Sequence, residues 1–252
     1  MNKKKKTEAI KEINILWLYP KEMNTYGDYG NLLALKKRLE WRGYKALVIE
    51  HNIGNPLPLQ VDLILGGGGQ DSNQSKIHSD LIKIAPSLRK LADKGVPMLM
   101  VCGMYQLFGK ELILSNDETL KGVNIFENMT TKAGGSRIIG NVAAKSDLFG
   151  ELYGYENHSG RTYLNDALAL STVSKGIGNN GKDETEGAIY RNVIGSYLHG
   201  SILPKNPLLA DFLVETALNN RYGHEGKIKL NPLKLDKTIT SDAREILATR
   251  PR

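Results

Sequence analysis

The sequence contains one cysteine and lacks any long apolar run. Among 252 residues Cys102 is the single thiol, which excludes an internal disulfide framework and a metal site built from several cysteines. No hydrophobic stretch approaches the roughly 20 residues that a membrane-spanning helix needs. The basic N-terminus is not followed by the apolar stretch of a secretory signal. These absences indicate a protein of the reducing cytoplasm with no transmembrane segment, and no metal site is predicted.

The sequence also lacks the interleaved basic and aromatic residues that are typical of nucleic-acid binding. Its formal net charge is +7, but the four lysines at positions 3–6 supply +4 of it. A lysine run of this kind is typically a solvated arm. We therefore expect a flexible basic arm at residues 1–12 and no nucleic-acid partner. An acidic partner surface or anionic lipid headgroups stay open as alternatives.

The first half of the sequence contains apolar runs that alternate with helical patterns. Continuous apolar runs such as PMLMVC are expected where helices cover both faces of a sheet. The alternation predicts an α/β fold, with a doubly wound, mostly parallel sheet and flanking helices. Strands are expected at residues 13–19, 45–50, 61–69 (where the strand runs into a glycine-rich turn) and 97–102, and helices at 30–44 and 77–94.

The second half changes character. Short strand-like runs punctuated by Gly and Asn predict an antiparallel extension of the parallel core. Residues 207–223 return to a helical pattern, and the tail after them is basic and poorly patterned. We therefore divide the chain into the arm, one domain at residues 13–223 and a C-terminal tail at residues 224–252, which we expect to contact a partner.

Cys102 lies where an apolar strand ends at a glycine. Ligands of parallel α/β proteins bind at the carboxyl ends of the strands. The sequence turns at Gly103 and continues as MYQLF, a short helical pattern, so the thiol is expected on a sharp strand-to-helix turn like that of a hydrolase nucleophile. Helix dipoles favour a thiolate there. The alternative is a buried small hydrophobic residue at a strand end, and this pattern alone does not decide between the two.

Four consecutive glycines end another strand, in LILGGGGQD at residues 63–71. Glycines let the backbone approach a ligand closely and direct N–H groups into a cleft. The GK[ST] of a Walker A loop is missing. The alternatives are a phosphate-binding loop, a flexible turn, or an oxyanion hole that combines one N–H of this turn with that of Gly103.

Five histidines are candidates for the base that a thiol nucleophile needs. His199 ends the strand-like run VIGSYLHG, 97 positions after the cysteine, and is the first candidate. His158, in YENHSGR, also ends a strand-like run and is the second. His51 follows a strand and is expected at the rim of the cleft. His78 and His224 are expected to be solvated.

Several of these motifs together resemble class I glutamine amidotransferases, and within them the branch related to cobyrinic acid amidases. The sequence is most similar to the glutaminase subunits of lipid II isoglutaminyl synthases in that branch. The resemblance extends from about residue 13 to about residue 235. It is carried by MNTYGDYGNL (23–32), GGGGQD (66–71), GSRIIGN (135–141), YENHSGRTYL (155–164) and SYLHGSILPKNP (196–207).

The resemblance implies a mechanism for glutamine hydrolysis. Cys102 would attack the side-chain amide carbon of glutamine, ammonia would leave, and water would hydrolyse the glutamyl thioester. His199 would be the general acid and base. The N–H groups of Gly68 and Gly103 would form the oxyanion hole, and Arg137 would bind the substrate carboxylate through two parallel hydrogen bonds.

Two positions qualify this resemblance. Gln106, one helical turn after the cysteine, is expected to face the substrate. Many members place a glutamate two residues after the histidine, but Ser201 stands there. The histidine is therefore expected to work in a dyad or to use an acid from elsewhere, for which Glu156 is a candidate. We expect the isolated chain to have low activity until a partner orders the site.

The resemblance also implies a partner. Amide formation needs an activated carboxylate, and the sequence has no nucleotide-binding loop. No cofactor is expected in this chain, and ATP and magnesium are expected on a Mur-ligase-like subunit, MurT, in a heterodimer. That subunit would amidate the D-glutamate α-carboxyl of lipid II to D-isoglutamine, which would bring this cytoplasmic chain to the inner membrane surface. The alternatives are a glutaminase of a cobyrinic-acid-type synthetase and a non-catalytic, flavodoxin-like binding module.

Overall fold

The computed structural model describes residues 10–25 and 27–249. The lysines at positions 3–6 of the predicted arm lie outside these residues, and Glu12, the last residue of that arm, already belongs to the first strand. In chain order the strands are β1 (Glu12–Leu18), β2 (Lys45–His51), β3 (Leu63–Gly66), β4 (Met98–Val101), β5 (Glu111–Ile113), β6 (Thr119–Lys121), β7 (Thr130–Lys132), β8 (Ile138–Ser146), β9 (Gly150–His158), β10 (Arg161–Tyr163), β11 (Ser171–Lys175), β12 (Thr185–Glu186), β13 (Ala188–Tyr190) and β14 (Val193–Ser196). The α-helices are α1 (Tyr29–Glu40), α2 (Asp71–Asp93), α3 (Gly103–Leu107), α4 (Ile202–Lys205), α5 (Pro207–Tyr222) and α6 (Ile239–Thr249).

The central sheet has six strands in the order β13-β14-β4-β3-β1-β2. All neighbouring strands are parallel except the edge pair β13 and β14. Every residue of β3 and β4 is buried, as their continuous apolar character predicts. The predicted doubly wound α/β fold with flanking helices is confirmed.

Beyond the central sheet the chain forms two smaller four-stranded sheets, of which the first is the predicted antiparallel extension and the second includes a parallel β5–β7 pair. The first has the order β12-β11-β8-β9 and is built on the long antiparallel β8–β9 pair. The other has the order β10-β7-β5-β6. Its strands are three residues long, too short to produce an alternation that a sequence pattern could reveal, and they were not predicted.

Helix α2 begins at Asp71, six residues before the predicted start. Its first turns, DSNQSK, are polar, so the apolar periodicity that predicts the helix begins only at Ile77. Its buried residues include Ile77, Leu81 and Leu88.

The C-terminal tail, which is basic and poorly patterned in sequence, contains helix α6. The buried Arg38 of α1 ties the tail to the domain. Its Nε donates to Asp211 Oδ1 at 2.8 Å and its Nη2 to Asp236 Oδ2 at 2.7 Å. Contacts within the chain therefore order this segment, and a contact of the tail with a partner stays a prediction.

None of the helices within residues 10–25 and 27–249 combines the length and apolar character that crossing a bilayer requires.

Candidate active site

Three adjacent parallel strands end together at one edge of the central sheet. Strand β4 lies between β3 and β14. The glycine turn (residues 66–69) follows β3, Cys102 follows β4, and His199 follows β14. The sheet topology therefore brings the predicted nucleophile, base and glycine turn to the same edge, where α/β folds bind ligands.

Cys102 occupies a sharp turn between β4 and α3. Its backbone has φ 49° and ψ −106°, a conformation that side-chain-bearing residues rarely adopt. The Cys102 N–H donates to Ser196 O at 2.8 Å, and its carbonyl accepts the Gln106 N–H at 2.9 Å. The strained backbone is thus held by β14 on one side and by α3 on the other. Strain of this kind, roughly 1–3 kcal/mol, is typical of functional turns.

Gly103 meets the glycine turn at van der Waals distance. A Cβ atom at position 103 would lie 2.9 Å from the Gly69 nitrogen and 2.9 Å from Met23 Cε. Any side chain would therefore force the two turns apart. The N–H groups of Gly69 and Gly103 donate to no acceptor within the described residues.

His199 is buried beside Cys102, with 1% of its surface exposed. A Cβ atom on Gly68 would lie 3.0 Å from His199 Cε1 and 3.4 Å from Cys102 Cβ, so the three residues form one cluster. The backbone N–H of His199 donates to Tyr155 O at 2.8 Å, which fixes the segment after β14 against β9. Burial opposes a charge on the imidazole. The negative charges of a Cys102 thiolate and of Asp28 outweigh burial and raise the pKa of His199 to about 10.

Asp28 is the acidic partner that the sequence analysis missed. Its Oδ1 lies 3.7 Å from His199 Nδ1, and only 4% of the residue is exposed. The segment before α1 reaches the site because the Thr25 N–H donates to Gly68 O at 3.0 Å. Asp28 is the single acid in MNTYGDYGNL. That was the available signal, but nothing in the sequence predicts that this loop folds back over the glycine turn.

The predicted role of Gly68 as an oxyanion donor does not fit this geometry. The Gly68 N–H donates to Asp28 Oδ2 at 2.6 Å, so it is occupied in holding the carboxylate beside His199. The N–H of Gly69, the next residue of the turn, lies against Gly103 and is the alternative donor.

Glu156 is engaged elsewhere. Its carboxylate accepts the N–H groups of Ile177 at 3.0 Å and of Gly178 at 2.9 Å, and these bonds hold the loop after β11. Ser201, two residues after His199, donates its hydroxyl to Gly27 O at 2.8 Å. Ser201 therefore joins the turn after His199 to the loop that carries Asp28.

A cleft of about 550 Å³ opens beside Cys102, and we call it the active-site cleft. Arg137 lies on its wall and is exposed, with its Nε donating to Asn157 Oδ1 at 2.6 Å. Gln106 also lines the cleft, but Gln74 donates to its Oε1 at 2.8 Å and its Nε2 donates to Tyr197 Oη at 3.0 Å. The lining residues are Gly69, Gln70, Asp71, Ser72, Cys102, Gln106, Ser115, Gly134, Gly135, Arg137, Asn157, His158 and Ser159.

His158, the second candidate for the base, lines the cleft in a neutral state. Its ring stacks on Tyr197 with 3.6 Å between the ring centroids, and its Nδ1 lies 2.9 Å from Gly160 O. Since a carbonyl only accepts, Nδ1 carries the proton. Burial lowers the pKa of His158 to about 3. This imidazole therefore has no proton to give a leaving group from Nε2 near neutral pH.

The remaining histidines lie outside the cleft lining. His51 is buried against Asp80, with its Nε2 3.1 Å from Asp80 Oδ2, so its predicted place at the cleft rim is wrong. His224 is exposed, as predicted. His78 is only partly exposed, and its Nε2 lies 2.8 Å from Lys121 O, so its predicted solvation holds only in part.

The site combines a thiol, a buried imidazole with a carboxylate behind it, and two N–H groups beside a polar cleft. A cysteine beside an imidazole whose protonated form is favoured can act as a nucleophile toward an acyl carbon. Free backbone N–H groups beside the nucleophile can stabilise the oxyanion that forms. The arrangement is therefore suited to acyl transfer.

Comparisons with known proteins agree with this chemistry. The family model of the CobB/CobQ-like glutamine amidotransferase domain matches residues 14–207. The chain is 35% identical over 240 residues to the lipid II isoglutaminyl synthase (glutamine-hydrolyzing) subunit GatD of Staphylococcus aureus (strain N315), covering 95% of this chain and 96% of that one. It is 37% identical over 217 residues to GatD of Streptococcus pneumoniae (strain ATCC BAA-255 / R6), covering 85% and 84%.

More distant similarities extend to longer proteins and to solved structures. The chain is 30% identical to the cobyric acid synthase of Pelotomaculum thermopropionicum (strain DSM 13744 / JCM 10971 / SI), covering 77% of this chain but 38% of that protein. A glutamine amidotransferase structure from Thermotoga maritima aligns with a TM-score of 0.52 at 15% identity, covering 93% of both chains. This likeness supports the fold alone. The chain belongs to the family of CobB/CobQ-like glutamine amidotransferase domains and is a glutamine amidotransferase.

Proposed function

We propose that this chain is the glutaminase subunit of a two-subunit amidating enzyme. It hydrolyses L-glutamine to glutamate and ammonia through a thioester on Cys102. The ammonia serves a Mur-ligase-like subunit, MurT, which uses ATP and magnesium to amidate the D-glutamate α-carboxyl of lipid II to D-isoglutamine. The observation that carries this proposal is the match to GatD along nearly the whole of both chains. The cobyric acid synthases match over about a third of their length, which favours that alternative less.

The first chemical step is attack of the Cys102 sulfur on the amide carbon of glutamine. The developing oxyanion is stabilised by the N–H groups of Gly69 and Gly103, which have no acceptor within the described residues. Removing one such donor typically costs about 3 kcal/mol of transition-state stabilisation. The short separation of the two glycines supports this pairing, because it directs two backbone segments toward one site.

His199 exchanges protons in both halves of the reaction. In the resting site the charge of the thiolate contributes to the raised pKa of His199, so the imidazole is protonated and can give its proton to the departing ammonia. Formation of the thioester removes the negative charge of Cys102. The pKa of His199 then falls because one of its causes is gone, and the neutral imidazole can accept a proton from the attacking water.

Asp28 orients His199 in this mechanism. The separation of 3.7 Å between Asp28 Oδ1 and His199 Nδ1 is longer than a hydrogen bond. Catalytic hydrogen bonds are often long in an empty site and shorten in the loaded one. A charge-assisted bond formed on loading would hold the imidazole toward the sulfur and stabilise its charged form.

Replacing Asp28 with asparagine is expected to lower kcat by roughly tenfold to a hundredfold. A charge-assisted hydrogen bond contributes roughly 1.5–3 kcal/mol, and each 1.4 kcal/mol is about a factor of ten in rate. Asparagine retains an oxygen for the Gly68 N–H, so the glycine turn is preserved. Loss of the carboxylate lowers the pKa of His199, so the imidazolium is lost at lower pH. The alkaline limb of kcat/KM should therefore shift to lower pH.

Asp80→Asn is the matched control for Asp28→Asn. Asp80 is also buried and accepts bonds from Tyr19, His51 and Gly54, but it does not line the active-site cleft. Its replacement should lower the melting temperature without moving the pH profile. An Asp28→Asn protein with an unshifted alkaline limb would exclude the orienting role.

Arg137 binds the α-carboxylate of the substrate in this proposal. It lies on the cleft wall, and the bond to Asn157 directs its guanidinium. Arg137→Lys is expected to raise KM for glutamine by roughly tenfold with little change in kcat, because an ammonium cannot form the paired bonds of a guanidinium. Arg191→Lys is the control, because Arg191 precedes the amino end of β14 and the cleft lies at the carboxyl ends of the strands. An unchanged KM for Arg137→Lys would contradict this assignment.

The complete proposal is tested with the purified chain, the Mur-ligase-like subunit, ATP, magnesium, lipid II and glutamine labelled with ¹⁵N in its amide. Mass spectrometry should find the label in the D-glutamate unit of lipid II, and glutamate release by the isolated chain should be much slower. Free ammonium salt should replace glutamine as the nitrogen source at high concentration. Glutamate release without transfer of label to lipid II would contradict the assigned acceptor. Equally fast release without the subunit would contradict the dependence on a partner.

A further inference from the structure

A second cavity of about 550 Å³ lies between helices α1, α4 and α6 and shares no lining residue with the active-site cleft. We call it the apolar groove. Most of the side chains that line it are apolar. The lining residues are Gly30, Leu33, Ala34, Lys37, Arg38, Trp41, Pro204, Lys205, Leu235, Ile239, Thr240, Ala243, Arg244 and Leu247.

The walls of the apolar groove carry two helical stripes. On α1, Leu33 and Trp41 are two turns apart, and they are 41% and 55% exposed. On α6, Ile239, Ala243 and Leu247 recur every four residues, and Ile239 is 74% exposed. Residues four apart lie above one another on one helix face. Two such stripes on either side of a cavity form the kind of groove in which the apolar face of a third helix packs.

Positive charge accompanies this apolar surface. Four cationic residues line the groove and no carboxylate does. Lys37 and Arg38 are neutralised by ion pairs with neighbouring carboxylates. Lys205 and Arg244 differ, because both donate to backbone carbonyls and neither forms an ion pair with a carboxylate of the described residues. Burial lowers the pKa of both groups. The groove thus has two cations that a negatively charged occupant would neutralise.

We propose that the apolar groove binds an amphipathic helix of the ATP-dependent partner subunit, with acidic side chains placed against Lys205 and Arg244. This proposal rests on the proposed function. The lysines at positions 3–6 of this chain carry the same charge as the groove and do not suit it. If a second copy bound here through two-fold symmetry, the cations of one groove would face the same cations of the other copy and repel them.

The apolar groove is joined to the proposed catalytic residues. Helix α1 begins directly after Asp28, and α4 begins three residues after His199. Lys205 Nζ donates to His199 O at 3.3 Å. A helix bound in the groove would therefore press on the two segments that set the 3.7 Å separation between Asp28 and His199. Binding of the partner at this surface would thereby raise the rate of glutamine hydrolysis.

The test measures binding of the purified Mur-ligase-like subunit by titration calorimetry. Leu33→Asp and Ile239→Asp should each raise the dissociation constant by tenfold or more. Leu148→Asp and Leu168→Asp, at exposed leucines outside the groove, should bind as the wild type does. The basal glutamate release of all four variants should match that of the unaltered isolated chain. Hydrogen exchange should show protection of residues 29–41 and 239–249 in the wild-type complex.

The outcomes separate this inference from the proposed function. Equal affinity of the Leu33→Asp and Leu168→Asp variants, with no protection of α1 and α6, would exclude the groove and leave the proposed function intact. A wild-type chain that does not bind the subunit would contradict both. Self-association of the chain, or binding to vesicles of anionic phospholipid, that is lost in Leu33→Asp would assign the groove to a second copy or to lipid and would overturn the proposal.

Discussion

Replacing Cys102 with alanine is expected to abolish glutamate release, with a fall in kcat of about 10⁴-fold or more, as for other catalytic nucleophiles. Without the sulfur no thioester can form, and the remaining N–H groups cannot hydrolyse the amide by themselves. Alanine differs from cysteine at this position by one atom, and the backbone conformation at φ 49° is equally strained for both. The variant should therefore fold and should still bind glutamine in calorimetry.

The single cysteine makes this experiment easy to interpret. Iodoacetamide can alkylate one thiol in the whole sequence, so the mass of the intact protein reports directly on the site. Glutamine should slow the alkylation of the wild type, and Cys102→Ala should not react. Retention of more than about a hundredth of the wild-type kcat in Cys102→Ala would show that another group attacks the amide. The thioester mechanism would then be wrong.

Replacing His199 with alanine is expected to lower kcat by about 10²- to 10⁴-fold, the usual contribution of a positioned general acid and base. The raised pKa of His199, about 10, reflects charges that favour the imidazolium beside Cys102. Without this residue the leaving ammonia has no positioned proton donor. Steady-state glutamate release measures the loss.

His158→Ala is the matched control, since His158 is also a buried histidine and lines the active-site cleft with Cys102. The lowered pKa of His158, about 3, and its stacking on Tyr197 indicate a neutral ring that supports the wall. We expect a loss of at most about tenfold in kcat and a lower melting temperature. A larger loss for His158→Ala than for His199→Ala would reverse the two assignments.

Four strands of the central sheet were predictable because they are apolar runs followed by glycine or helical patterns. The run that forms β14 was expected in the antiparallel extension, but β14 belongs to the central sheet and pairs parallel with β4. That topology alone is enough to bring Cys102 and His199 together, because both follow strands whose carboxyl ends meet at one edge. The convergence at the strand ends required no knowledge of side-chain contacts. It needed only the order in which parallel strands lie.

Asp28 and helix α6 were missed for different physical reasons. Asp28 reaches His199 through a loop whose path depends on long-range contacts, such as the bond between the Thr25 N–H and Gly68 O. No local pattern encodes that path. Helix α6 does carry a local signal, since Ile239, Ala243 and Leu247 recur every four residues. This signal was hidden within a basic segment, and the stripe lines the apolar groove instead of entering the main core.

The oxyanion donor shows a limit of a different kind. The four glycines identify a turn that approaches the site, but which N–H faces the thiol depends on individual peptide orientations. Asp28 accepts the N–H of Gly68, and the neighbouring Gly69 N–H is left without an acceptor in the described part of the chain. A sequence can therefore indicate the turn, and a structure is needed to choose the residue.

The burial of Cys102 affects what happens to the ammonia that glutamine would release beside the sulfur in the proposed reaction. The residue is 6% exposed and the adjacent imidazole 1%, so the proposed reaction would release ammonia at the inner end of the active-site cleft and not at the protein surface. In neutral water ammonia soon becomes ammonium, which has no lone pair to attack an activated acid. An acceptor that covers the cleft and reaches close to this depth would meet the nitrogen in its reactive form.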